Sequence, residues 1–268
     1  MKHIWIILGI LLFATSASAQ YFDHEHTAWN MLLKQHVRWI SNGTASQVDY
    51  AGLKKDRTQL RDYLAGLSDI SERGFESWGK DQQLAFLINA YNAFTIELIL
   101  IRYPDLDSIK DLGNFLKSPW KKKFFTLLGK KRHLDWIEHE MIRKPGAYDD
   151  PRIHAAVVCA SVGCPGIRNE AFIARKLNAQ LDDSFRRFLS DRTRNRYNPR
   201  EGTLEVSKIF DWYGGDFGKG HGGFASLEAT FGKYADVLAD HPADREKIRS
   251  GNAGIRFLEY DWKLNDLP

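Results

Sequence analysis

Apolar residues recur at helical spacing in several stretches of the chain. Trp29, Leu32, Leu33, His36, Val37 and Ile40 lie on one helical face, which predicts a helix capped by Asp23, running to about Ile40 and stopped by Ser41-Asn42-Gly43. A second helix is predicted over 56–67, ending near Gly66. The strongest pattern covers 81–103, is apolar on nearly every side and is followed by Pro104. A helix with so little polar surface belongs in the middle of a fold. Residues 124–128, Gly129 and residues 131–134 predict a short hairpin. Asp135, with Glu138 three positions on, resembles a capping box for a helix over 136–143. Residues 153–160 are short, apolar and β-branched, and predict a buried strand. An amphipathic helix over 170–189 is expected to be capped by Asn169, and a strand is expected over 204–209. A glycine-rich loop at 213–223, a helix over 225–240 and a strand over 255–260 complete the pattern. With no repeat or linker, the expected fold is α+β, a mainly helical single domain with short strands around a central apolar helix.

The amino terminus changes the chain to be explained. Met1-Lys2-His3 is a basic start, residues 4–13 are apolar apart from Gly9, and Ala17-Ser18-Ala19 supplies small residues at the cleavage positions. This is the layout of a secretory signal peptide over 1–19, leaving a domain over 20–268. The apolar run is about ten residues, roughly half of what spans a bilayer. No later stretch reads as a transmembrane segment, so the expected location is periplasmic or secreted.

Composition adds limits rather than a function. The 268 residues are 43% hydrophobic and 27% charged, which fits a folded protein and excludes disorder. Lys and Arg total 38 against 34 Asp and Glu, and this excess of four is too small to indicate nucleic acid as a partner. The stretches 117–132 and 186–200 are locally basic and read as solvated faces, with an anionic cell-envelope component as the alternative. The two cysteines exclude a disulfide-stapled miniature.

Candidate chemistry concentrates in His154-Ala-Ala-Val-Val-Cys159-Ala-Ser161-Val-Gly163-Cys164-Pro165. A nucleophilic thiolate needs a neighbouring base or positive charge. On one strand His154 and Cys159 point to opposite faces, whereas Cys164, beyond the turn at Gly163, folds back toward His154. A disulfide between Cys159 and Cys164 is the competing reading in an exported chain, and closing so short a loop stabilises by roughly 2 kcal/mol. Glu138-His139-Glu140-Met-Ile-Arg143 reads HExxR where a zinc helix needs HExxH, so a metal role is rejected. His139 and Glu138 remain candidates to act as or orient a base. Asn89 and Asn92 share one face of the apolar helix and either line a pocket or brace loops. The run 214–221 lacks the P-loop pattern, and its His221 reads as a loop histidine. Asp23-His24-Glu25-His26 reads as a polar helix start rather than a metal site.

Together these motifs resemble the domain of unknown function 547 (DUF-547) family. The resemblance rests on Asn89-Ala-Tyr-Asn92, Ile137-Glu138-His139 with Arg143, Asp150-Pro151-Arg152 and the segment from Ile153-His154 to Cys164-Pro165. It continues through Ser207-Lys-Ile-Phe210-Asp-Trp212-Tyr213, Asp216-Phe217 and Tyr260-Asp261-Trp262-Lys-Leu264-Asn265, and so covers about 81–268. Members often carry Asn before the first cysteine, where this chain has Val158, so no side-chain oxyanion donor is implied at that position. Relatives that lack the second cysteine imply that Cys159 is the functional thiol, against the spacing argument for Cys164.

The expected activity is that of a cysteine-dependent hydrolase or acyl transferase acting on a cell-envelope amide or ester. Cys159 or Cys164 would be the nucleophile and His154 or His139 the base. Glu138 or Asn89 would orient that base, and Asn92 and Arg143 would bind substrate. Backbone N–H groups near Gly163 would stabilise the oxyanion. No metal or organic cofactor is called for. The rival is a non-catalytic binding or scaffold domain in which the cysteines form a staple.

Overall fold

Helix α1 (Thr27–His36) starts with His26, not Asp23, in the cap position and without a side-chain cap bond, while the Asp23 carboxylate accepts from the backbone N–H of Glu25 and Thr27. It stops at His36, because the next four residues, β1 (Val37–Ile40), pair antiparallel with β2 (Ala45–Val48). Ser41-Asn42-Gly43 does end an element, but that element is a strand. All three have positive φ and turn the chain into the hairpin. The computed structural model describes residues 22–114 and 118–268; the expected signal peptide and Lys117 of the basic stretch lie outside the described residues.

Helix α2 (Tyr50–Lys55), capped by Asp49, precedes α3 (Arg57–Ser68), and α4 (Glu72–Glu76) leads into α5 (Lys80–Leu100). Between 83 and 100 only Glu97 escapes full burial, and it pairs with Arg57 and Arg61 of α3. By length and apolarity α5 would cross a membrane, but 94% of its most apolar window is buried against the rest of the chain. It is the central core helix that its all-round hydrophobicity predicts.

The hairpin of β3 (Phe125–Leu127) and β4 (Lys130–Arg132) forms around Leu128 and Gly129, both at positive φ. Asp135 does not build the expected capping box: its own backbone is helical and its side chain makes no cap bond. His133 Nδ1 accepts the Trp136 N–H instead. The chain then winds into a π-helix, Trp136–Ile142, whose extra residue per turn buries Trp136, Ile137, Glu138 and Ile142.

Two further sequence expectations are corrected. The predicted strand over 153–160 is a 3-10 turn, Pro151–Ala155, followed by irregular chain. Asn92 replaces a neighbouring strand there, donating to Ala156 O and accepting from Val158 N. The helix expected from 170 begins later, as α6 (Leu177–Ser190). The backbone at 171–173 is taken up by the side chains of Asn89 and Gln180, and Asn169 accepts from Trp39 Nε1 rather than capping a helix.

Strands β5 (Arg196–Asn198) and β6 (Thr203–Val206) are antiparallel, and β7 (Gly254–Phe257) adds parallel to β6. Between β6 and β7 lie α7 (Ile209–Trp212), α8 (Leu227–Lys233), α9 (Ala235–Leu238) and α10 (Pro242–Arg249). The helix predicted over 225–240 is broken into α8 and α9 at Tyr234, which leaves the helical region of φ and ψ. The fold is α+β and mainly helical. One buried cluster surrounds α5; the other is aromatic and built from Phe185, Phe188, Phe210, Phe217, Phe224 and Phe231.

Candidate active site

The two sulfurs meet. Cys159 Sγ lies 2.9 Å from Cys164 Sγ, 3.0 Å from Ser161 Oγ and 2.9 Å from Tyr260 OH, and both cysteines are free thiols. The Cys159 N–H donates to Cys164 Sγ at 2.9 Å. Cys164 is buried and Cys159 partly open. The turn that brings them together is held by the carboxyl-terminal segment: Val162 N–H donates to Lys263 O, Gly163 N–H to Asp261 O and Asn265 N–H to Ala160 O. Gly163 is required by this approach, because a Cβ there would lie 2.9 Å from Asp261 N.

The surroundings favour ionisation of Cys164 over Cys159. Burial opposes ionisation of its thiol, but contacts from Cys159 and Tyr260, the Cys159 N–H and the charge of Arg194 outweigh burial and lower its pKa. Cys159 is pushed well up, first by its bond to Cys164 and then by burial. Of the two sulfurs, Cys164 is thus the one placed to accept negative charge.

A second group forms around Asp216, which the glycine-rich loop delivers through a 3-10 turn, Gly214–Gly218. Its carboxylate accepts from His154 Nε2 at 2.9 Å, Arg143 Nε at 2.6 Å and Lys219 Nζ at 2.9 Å. Burial works against its charge, but these three donors outweigh it and hold the carboxyl far below the usual range. Burial lowers the pKa of His154 in spite of Asp216, so the imidazole is neutral. With the proton on Nε2 facing Asp216, its lone pair is on Nδ1. His139 differs, because its Nδ1 accepts from Arg143 at 2.7 Å and that lone pair is already engaged. Tyr213 stacks on His154 with ring centroids 4.0 Å apart, and burial and its bond to Glu138 push the phenol pKa up.

The two cysteines and the histidines of the second group border one open cleft of about 330 Å³, while Asp216 and Arg143 stand behind it. Cys159, Cys164, His154, His139, Glu138 and Tyr213 all line it. Trp120, Trp212, Tyr260 and Trp262 form an aromatic wall, with neighbouring ring centroids 4.5–5.9 Å apart. A cleft of this size, walled by aromatic rings with a few polar groups, suits a small ligand or the end of a larger one.

Residues 75–189 match the family model described as protein of unknown function, DUF547. The match supports the resemblance read from the motifs, over less than half of the chain. No curated protein and no solved structure matches. The DUF547 stretch carries Asn89, Asn92, Glu138, His139, Arg143, His154, Cys159 and Cys164. Tyr213, Tyr260 and Trp262 of the cleft lie beyond it, as does Asp216, the partner of His154, so the site is completed by chain outside the matched stretch.

Not every expected site residue reaches the cleft. Asn89 and Asn92 brace backbone: Asn89 bonds both the N–H and the carbonyl of Phe172, as Asn92 does for Ala156 and Val158. Arg143 ties His139 to Asp216 rather than facing the cleft. No histidine bonds either sulfur among the described residues. The expected amide oxyanion hole near Gly163 is also corrected, since the N–H groups of Val162, Gly163 and Cys164 donate to Lys263, Asp261 and Ser161. His221 lies 3.6 Å from Asp149, outside the cleft. Arginines of the basic stretch, including Arg186, Arg187, Arg192, Arg194 and Arg196, are already paired with carboxylates.

Sequence reading missed Asp216, Tyr213, Tyr260 and Ser161 as site groups. Each stands in a motif that carries the family resemblance, but nothing local distinguishes it from an ordinary polar residue.

Proposed function

We propose that the chain is an exported cysteine-dependent enzyme that hydrolyses or transfers the acyl group of a cell-envelope amide or ester. The observation that carries this reading is that the Cys159 thiol and His154 border the same cleft, with Asp216 bonded to His154 from behind it. Cys159 is the nucleophile, because it is the more open of the two thiols. His154 is the base, because its Nδ1 lone pair is not taken by an arginine, and Asp216 fixes its tautomer. The proton crosses the cleft once substrate closes the gap, as in sites whose catalytic hydrogen bonds tighten only in the complex.

In the first step the Cys159 sulfur attacks the acyl carbon and its proton passes to His154. The leaving amine or alcohol takes that proton as the carbon–nitrogen or carbon–oxygen bond breaks. Water or an acceptor nucleophile then cleaves the thioester. The hydroxyls of Tyr260 and Ser161, beside the sulfur, replace backbone amides as donors to the oxyanion.

The test uses the mature, reduced protein and p-nitrophenyl acetate. A burst of nitrophenol equal to one site is expected, absent in Cys159→Ser, with acylation slowed by about 10²-fold in His154→Ala. A burst that survives Cys159→Ser sinks the proposal. The scaffold alternative draws on the sulfur contact, and predicts no titratable thiol before reductant is added.

A further inference from the structure

Acyl transfer needs one sulfur, and it leaves unexplained why a second is in contact with the first. Cys164 Sγ is 2.9 Å from Cys159 Sγ, is buried, and receives the Cys159 N–H. That N–H would serve a thiolate or a sulfur losing its proton, and contributes little to an inert thiol. Both border the cleft beside the aromatic wall, and Cys159 is the more exposed of the two. One accessible sulfur with a buried, anion-accepting sulfur behind it is the arrangement that thiol–disulfide exchange needs: the first meets an external disulfide and the second resolves the intermediate.

We propose that Cys159 and Cys164 are a redox-active pair that exchanges with a peptide disulfide entering the cleft. The Cys159 proton passes to the Cys164 sulfur 2.9 Å away as the Cys159 sulfur attacks one sulfur of the external disulfide; the external S–S bond breaks, and the first peptide sulfur leaves and takes that proton back from Cys164. The Cys164 thiolate then attacks Cys159 Sγ, the mixed S–S bond breaks, and the second peptide thiolate takes a proton from water. Two electrons pass from the protein dithiol to the external disulfide, which leaves as two thiols. The protein is left with a Cys159–Cys164 disulfide, and two peptide thiols reverse the sequence. Tyr260 OH, 2.9 Å from Cys159 Sγ, is placed to protonate or hold the departing sulfur. The lowered pKa of Cys164 fits the second step, and its sulfur, 2.9 Å away, is placed to take the Cys159 proton in the first. The inference does not depend on the acyl reading, but oxidation would remove the nucleophile that reading requires.

The test exposes the mature protein to oxidised and reduced glutathione at a series of ratios, with acid quench, alkylation and intact mass. Native protein is expected to pass in one reversible transition between a form with two alkylated thiols and one with none. Cys164→Ser should accumulate a single glutathione adduct at Cys159, and Cys159→Ser should form its adduct at least about tenfold more slowly. Three results overturn the inference. These are a disulfide that glutathione reduces only after denaturation, thiols that stay reduced at every ratio, and faster adduct formation at Cys164 than at Cys159. Nitrophenyl ester turnover on the same reduced sample tells the two proposals apart: turnover without exchange sinks this inference alone, and exchange without turnover sinks the acyl reading alone.

Discussion

Asp216 Oδ2 accepts from Arg143 Nε at 2.6 Å and from His154 Nε2 at 2.9 Å, so one carboxylate oxygen joins the π-helix to the His154 turn. Arg143 also donates to His139 Nδ1, which fixes both histidines through one guanidinium and one carboxylate. Asp216→Asn removes the charge that balances Arg143 and frees the His154 tautomer. Destabilisation of about 1–3 kcal/mol is expected in urea titrations. Ester acylation at Cys159 should slow at least about tenfold in folded protein. Wild-type values for both would show that the carboxylate is a surface charge and nothing more.

Buried histidines give the fold a defined pH dependence. Burial lowers the pKa of His26 to about 4 and moves His154 in the same direction. Below about pH 6.5 the unfolded chain protonates these imidazoles while the folded chain does not. Stability therefore falls as pH drops through 6.5, and the His26 share levels off near the folded pKa of about 4. That share is about 3 kcal/mol. The depressed carboxyl of Asp216 acts lower, its stabilisation being lost below about pH 4. Urea midpoints at pH 7.5, 5.5 and 4.5 should fall in that order, and a flat series would contradict the burial of His26.

Asn92 stands in for a strand. Asn92→Leu leaves the carbonyl of Ala156 and the N–H of Val158 without partners next to Cys159. A loss of about 1–3 kcal/mol is expected. Asn89→Leu should cost a similar amount through Phe172. Unchanged urea midpoints for both variants would mean that these backbone groups find water.

Gly163→Ala tests how closely the carboxyl-terminal segment must approach. The added methyl would stand 2.9 Å from Asp261 N and 3.0 Å from Tyr260 Cδ2. The backbone side of that contact cannot swing away, so the segment has to shift and draw Tyr260 from Cys159. A loss of about 1–3 kcal/mol is expected, with a changed iodoacetamide rate at Cys159. Alkylation and thermal midpoints identical to wild type would show that the two segments tolerate a wider spacing.

Export is tested on the product itself. The run of apolar residues before Ala17-Ser18-Ala19 predicts cleavage after Ala19. Intact mass of periplasmic material should correspond to a chain starting at Gln20, and a full-length chain in the membrane fraction would refute it.

The sequence by itself determined the elements whose signal is local. The central helix is legible because its apolar residues leave no polar face, and the 125–132 hairpin because Leu128-Gly129 supplies a tight turn between short strands. The candidate histidine and cysteines were legible because their residue types are rare and crowded into one segment. Tertiary structure decided everything that depends on a distant partner. Residues 153–160 have strand composition, but Asn92 satisfies their backbone from 64 positions away in one bond and 66 in the other, so they need no strand beside them. Val37–Ile40 continues a helical pattern, but pairing with β2 takes it out of the helix. The surroundings that distinguish Cys159 from Cys164, and His154 from His139, were likewise closed to residue spacing. They depend on which sulfur is buried, on the imidazole nitrogen that Arg143 occupies, and on Tyr260 and Asp216 arriving from the far end of the chain. Local periodicity records which face of an element is apolar; it carries no information on which polar group meets it across the fold.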